Sequence, residues 1–590
     1  MFPRRRLSCR INTKNRTCRL ADAGHQGRSG LMRKIAEIVL FSALIVSLGS
    51  VSWGCHADPD DAAGQAGELT DPVRRENALR NIQRLYSAGL AAADNDRSNE
   101  AVTSVVDATI DKITEAYSAH PEDTQNGMMM ISILRDMQDP RGIPAFKQAM
   151  NWRAEVSEEH AIASAQAMRA FEIPAGELGD IIAKIGEALE KVAGARGIDN
   201  RMRIEFIRTL GHFGDNRATP ILTTIATTQT EEQNFLINRL AATALGRFGD
   251  PAAVPSLIKC LFLFAPNAPQ MRMNDVAAEA LVRIGRPSYE PLIELMRGND
   301  AEAKAIVDMY IEAVRARDER AAEAMDADML MNSEATFTLG ALGFGDAFDT
   351  IAEEAASEDV NRRINASIAL VRLSLNDAQQ ARVREILKST YEAAELQAKP
   401  QLLAAMRMTY DAELMPFFLT QGSDGDLHPE VRIHAVQAYS LLANAREATA
   451  LRRMIRDEDP SEEGGYRENF AQNEPSLVLA AECDEDLACW IGKLSDSETD
   501  TVKKAGYMVG RYGRGNPEAI TALVTILSHA DILVRMAAIN SLDRIAVDGS
   551  QEAVDKIEEL RETEEGRSVW TQFSREALPT QARLRNRAAN

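Results

Sequence analysis

The chain has 590 residues, of which 45% are apolar but only 5% aromatic, and a formal net charge of -21. That length excludes one compact core and calls for several domains or a repeating array. The acidity excludes nucleic acid as the main ligand, because neutralising phosphates needs a basic face.

The charge is not evenly spread. Residues 1–54 hold ten Lys/Arg against two Asp/Glu, so the acidity lies in the remainder. Within 32–55, MRKIAEIVLFSALIVSLGSVSWGC, a positive start at Arg33-Lys34 precedes an apolar run, Ile38 to Leu48, then small residues and Gly54-Cys55. This is the plan of a secretory signal, and residues 1–31 before it have no apolar core, so translation from Met32 fits the plan better. Cys55 directly after a small residue resembles the signal of bacterial lipoproteins, which implies a lipidated Cys55. That places the protein on the bacterial cell envelope, facing the periplasm and held to the membrane by N-terminal lipid. Two alternatives stay open: cleavage without lipid, and an uncleaved anchor helix over Ile35–Trp53, whose nineteen residues just span a bilayer. Trp53 departs from the lipoprotein pattern.

Residues 55–72, acidic and rich in Ala and Gly, predict a flexible tether; the sixteen from Ala57 to Pro72 span about 20–25 Å. Residues 73–137 predict an N-terminal helical cap. From 138 to 298 a repeat emerges. TLGHFGDNRATPIL begins at Thr209, and ALGRFGDPAAVPSL begins at Ala244, thirty-five residues later. Leu236, Leu240, Ala244 and Phe248 have helical spacing. A glycine then closes the helix, an aspartate caps the next, and proline occupies its first turn. The pairs Gly214-Asp215, Gly249-Asp250 and Gly345-Asp346 predict this turn; Gly285 is in register, and Gln138 stands in the glycine place. A second marker is Asp-x3-Arg/Lys at Asp199/Arg203, Asp359/Arg363, Asp500/Lys504 and Asp531/Arg535.

A two-helix unit at a period of about 35 residues predicts an all-α solenoid. The wording resembles the HEAT-repeat family, especially its short bacterial form also found in phycobilisome lyases, over about 120–560. The resemblance implies a right-handed superhelix, and a structural ladder of stacked Asp and Arg between repeats. Residues 299–332 predict a helical insertion, 333–456 divergent repeats, 457–499 an acidic loop with a cysteine pair, 500–562 C-terminal repeats, and 563–590 a polar, fraying tail.

Cys260 falls in an apolar helix and predicts a buried thiol. Cys483 and Cys489 would stand about 9 Å apart on one continuous helix, too far to bond. Asp484-Glu485-Asp486 between them predicts a helix break and a local disulfide, suited to an oxidising periplasm. No nucleotide loop, zinc-protease or nucleophile-elbow motif is present. His428 and His434 are poorly spaced as ligands. Asp457, Asp459, Ser461 and Glu468 imitate a calcium loop, but Glu462 occupies its obligatory glycine place, which leaves a solvated acidic loop. The expectation is a non-catalytic scaffold with no cofactor and an unidentified protein partner. The alternative is an enzyme or ligand-binding protein with a site in 299–331 or 457–499.

Overall fold

The computed structural model describes residues 57–588, apart from 152–157, 194–199, 230–233, 458–469 and 471. Its repeat unit follows from local chemistry. The Phe235–Phe248 helix starts at Asn234, whose side chain accepts from the Leu236 N–H, and stops at Gly249, left-handed at φ 68°. A residue without Cβ takes that angle at no steric cost. Asp250 accepts from the Ala252 N–H and opens the turn Pro251–Ala253, which runs into the Val254–Cys260 helix. Gly214 and Asp215 repeat the arrangement, and Gln138 takes the left-handed angle in the earlier copy at φ 54°.

The motif's other glycine works differently. A Cβ on Gly246 would stand 2.6 Å from Ala280 Cα, so its absence lets the Phe235–Phe248 and Asn274–Ile284 helices pack closely. Gly340 plays this part against Ala369. That register corrects the third predicted turn. In LGALGFGD the left-handed residue is Gly343, at φ 74°, and not Gly345. Gly345 instead begins a short 3-10 turn after Phe344, and Asp346 provides no side-chain cap there. Asp346 pairs with Arg286 at 2.5 Å.

These pairs stack into an all-α solenoid with an inner and an outer row. Apolar side chains between the rows form one core from Leu69 to Ala480 with a few later members, and a second from Leu479 to Leu584. One insertion is not helical: Phe264–Ala265 and Ala268–Arg272 form an antiparallel ribbon between Val254–Cys260 and Asn274–Ile284. Pro266-Asn267 at its tip is a turn signal that the helical period concealed.

At two of the Asp/cation markers the cation reaches backbone carbonyls. Asp531 caps Ile532–Ile545 by accepting from the Leu533 and Val534 N–H groups. Arg535, fully buried, sends Nη1 to the carbonyls of His529 and Ala530, at 2.6 and 2.7 Å, just after the preceding helical turn. Asp359 caps Val360–Val371 in the same way; Arg363 beside it is half-buried. Asp500 instead pairs with Lys503, at 2.5 Å, and Lys504 gives its ammonium to the carbonyls of Ser440, Leu441 and Ala443. Arg203 is buried, and Asp199 lies outside the described residues.

The same device recurs where no Asp-x3-Arg is spelled. Asn238 donates to Ile225, Ala226 and Thr228 carbonyls, Asn332 to Met296, and Arg432 to Gly422. The last carbonyls of a helix have no partner within it. A donor from the start of a following helix supplies one, and so fixes how the two are joined.

Four boundaries shift. Residues 57–72 are not a tether. Ala62–Gly67 and Glu68–Thr70 are helical, Leu69 is buried, and Arg75 donates to the Leu69 carbonyl at 2.8 Å while pairing with Asp123 at 2.6 Å. Asp71-x3-Arg75 is thus another copy of the marker. The insertion is Ala301–Arg315 with Glu319–Glu323, because Ala327–Leu342 is an ordinary inner helix. Within 457–499, Glu474–Cys483 and Leu487–Lys493 are helices. The tail from 563 is the helix Glu564–Ala588, with Ala577, Ala582 and Leu584 buried.

Cys483 and Cys489 are disulfide-bonded with Cα atoms 5.4 Å apart. The break is where expected: Asp484 has φ 46° and Asp486 caps the second helix. Cys260 is free and buried, which pushes its thiol up to about 12.

Arg535→Ala should cost about 1–3 kcal/mol by stranding two carbonyls, read as a lower urea midpoint. Exchange protection should fall in adjacent repeats and stay unchanged at 200–295. Reducing Cys483–Cys489 should loosen residues 483–493, where Trp490 is buried and donates to the Asp484 carbonyl. A red shift of Trp490 emission without loss of global helicity is the expected signal.

Candidate functional site

The inner row does not stay open. From Asn274–Ile284 onward it curls until its last member, Glu564–Ala588, packs against Asn274–Ile284 and Ala327–Leu342 as well as Ile532–Ile545. The contacts are chemically specific. Arg583 grips Asp543 at 2.8 Å and donates to the Ala341 carbonyl at 2.9 Å. Arg587 also binds Asp543, at 3.0 Å. Glu576 pairs with Arg372 at 3.0 Å, and Asn586 lies over Gly285. Deeper in, the Tyr410 hydroxyl meets Ser541 Oγ at 2.8 Å, and burial pushes the phenol up strongly.

Asp543 is the hub. Burial alone would raise its carboxyl; Arg583 and Arg587 outweigh it and hold the carboxyl below the usual aspartate range. A guanidinium pair around one desolvated carboxylate is costly to break, since either partner left alone is a buried charge.

Two cavities flank this seam. One, of about 800 Å³, is lined by Arg239, Asp275, Glu279, Glu334, Arg561 and Glu576 among others. Acids and bases there pair with each other, as in Arg239–Asp275 at 2.7 Å. The other, of about 360 Å³, lies between 371–411 and 514–587. Both sit at the closure, and neither is lined by the irregular 299–331 or 457–499 segments in which the alternative reading puts a ligand site. Their residues are far apart in sequence, so no local motif announces them.

The remaining candidates are dispersed. His428 caps Pro429–Leu442 by accepting from the Glu430 N–H, while His434 contacts the Glu430 carbonyl. His160, not singled out from sequence, is buried between the Tyr117 hydroxyl and the Thr124 carbonyl, and burial lowers its imidazole. Among the described residues no group of three or more His, Cys, Asp or Glu could hold a metal. Cys55 and the Asp459, Ser461, Glu462 and Glu468 positions lie outside the described residues. No described helix is long and apolar enough to cross a membrane; the Ile35–Trp53 segment is outside that description.

Residues 490–572 match the HEAT repeats family, and residues 238–262 match the PBS lyase HEAT-like repeat. These are HEAT repeats. No curated protein matches the chain. Among solved structures, the HEAT solenoid is similar to the karyopherin Kap121p bound to the extreme C-terminus of the protein phosphatase Cdc14p. Identity there is 12% and the TM-score 0.36, over 90% of this chain and 58% of that one. It is also similar to the CpcE and CpcF complex of phycocyanin lyase from Nostoc sp. PCC7120, at 16% identity and a TM-score of 0.24, over 50% and 94%. Human deoxyhypusine hydroxylase is a third, at 14% and 0.19, over 61% and 99%. The chain thus spans a little over half the length of the karyopherin it matches.

Asp543→Asn should lower stability at neutral pH by about 3 kcal/mol, the lower end for breaking a buried ion pair. Because the folded carboxyl is depressed, its contribution is present above the ordinary value of about 3.9 and is lost as pH falls through the folded value. The gap in urea midpoint between wild type and Asp543→Asn should therefore hold from pH 7 to about 5 and narrow below about 4.

Proposed function

We propose that this HEAT-repeat protein is a non-catalytic scaffold of the bacterial envelope, lipid-anchored at Cys55, that holds another protein on its helical surface. The observation that carries the reading is what its groove already does: the inner row receives a helix, Glu564–Ala588, through ion pairs and through guanidinium contacts to helix-end carbonyls. A surface that recognises a helix intramolecularly has the chemistry to recognise one from a partner. The anchoring rests on the plan of residues 32–55.

Two measurements test it. Metabolic labelling with an alkyne fatty acid should tag the wild type and leave Cys55→Ala untagged and released from membranes; an untagged wild type in the soluble periplasm refutes the anchor. Photo-crosslinkers at Leu236 and Leu533, exposed apolar positions on inner-row helices, should trap one defined protein. Absence of any crosslinked protein from either position, in cells producing the anchored form, refutes the scaffold.

A further inference from the structure

The smaller seam cavity differs in charge from the rest of this acidic chain. Arg372, Arg384, Arg514, Arg544 and Arg587 line it, against Asp411 and Asp543. Three of the five arginines are committed. Arg587 holds Asp543, Arg384 holds Asp411 at 2.8 Å, and Arg372 holds Glu576. Arg514 and Arg544 are not: among the described residues neither side chain makes a hydrogen bond or ion pair. Arg544 is half-buried and Arg514 exposed. Burial and then the like charge of Arg514 lower the Arg544 guanidinium, and Asp411 and Asp377 only partly offset this. Two cations thus line one cavity without an ion pair, and a bound anion would supply the counter-charge that the half-buried Arg544 lacks.

The remaining walls narrow the anion's identity. Ser374 offers a hydroxyl and Asn540 an amide, Asn376, Gln380 and Thr409 add polar groups already bonded to Gln379, Leu375 and Met406, and Val371, Leu375 and Val547 add small apolar patches. A volume of about 360 Å³ lies within the usual range for small-molecule pockets. Planar guanidinium forks suit phosphate oxygens bidentately, and a phosphomonoester carries close to two negative charges at neutral pH. We propose that this cavity binds a small phosphorylated, hydroxyl-bearing molecule, with Arg514 and Arg544 on the phosphate and the amide and hydroxyl walls on its body. The site does not depend on the scaffold reading. Since 371–411 and 514–587 line the cavity from opposite sides of the seam, the ligand would also cross-link them.

The test uses the full chain. Calorimetric titration with glucose 6-phosphate, and with citrate at matched ionic strength, should show saturable binding of the phosphate alone. In Arg514→Gln/Arg544→Gln that binding should weaken at least tenfold, while exposed Arg297→Gln should leave it unchanged. Because neither target arginine has a partner to lose, the double variant's melting midpoint in phosphate-free buffer should stay level or rise. Glucose 6-phosphate should protect 371–376 and 540–547 from hydrogen exchange in wild type only. No saturable binding, equal binding by the double variant, citrate binding as tightly, or a lowered phosphate-free midpoint would each overturn the assignment.

Discussion

The solenoid depends on one recurrent contact: a side-chain donor near the start of one helix inserted among the carbonyls left open at the end of an earlier one. Every helix end leaves such carbonyls, and a stack of short helices has many of them close to its core. Leaving them dry and unpaired would cost more than any single apolar contact returns. Arg75, Asn238, Asn332, Arg432, Lys504 and Arg535 each answer this at a different repeat. The donors differ in charge and length because the requirement is for N–H groups at one place, not for an ion pair. Lys504 shows how far this goes: it is fully buried, burial pushes its ammonium well down, and three carbonyls surround it.

Closure of the inner row uses the same chemistry at longer range. Arg583 reaches the Ala341 carbonyl, in the last turn of Ala327–Leu342, and Arg587 reaches the Asp543 carbonyl in Ile532–Ile545. The carboxylates of Asp543 and Glu576 then fix which helix meets which. The seam is thus a repeat contact made between units that are not neighbours in sequence, and the charged cavity is the space this contact encloses.

What the sequence made legible was whatever is local. Gly249-Asp250-Pro251 spells a helix end, a cap and a first turn within three residues, and the helix break at Asp484 was readable beside its two cysteines. At Arg535 and Lys504 the Asp-x3-Arg/Lys spacing marked the position but not the carbonyl partners, since carbonyls carry no letter in a sequence. Gly343 was passed over because LGALGFGD offers three glycines, and only the packing of Gly340 on Ala369 settles their register. The C-terminal helix was hidden for a related reason. ARLRNRAAN has the composition of a solvated end, and its arginines become interior groups only because Asp543 and the Ala341 carbonyl, far back in the chain, wait for them.

Closing the ring also changes how the molecule bears load. An open stack of helix pairs is a spring: each joint bends a little, and the whole lengthens under small forces. Latching Glu564–Ala588 onto Ala327–Leu342 removes that compliance from everything between them. The helix pairs before Asn274, outside the latch, keep theirs. A pull between the first helices and the far rim would stretch the leading coils and leave the trailing half at fixed length, until the Asp543 contacts shear together. One chain thus joins an elastic segment to a stiff one, and the latch combines three arginines with the buried Ala577, Ala582 and Leu584.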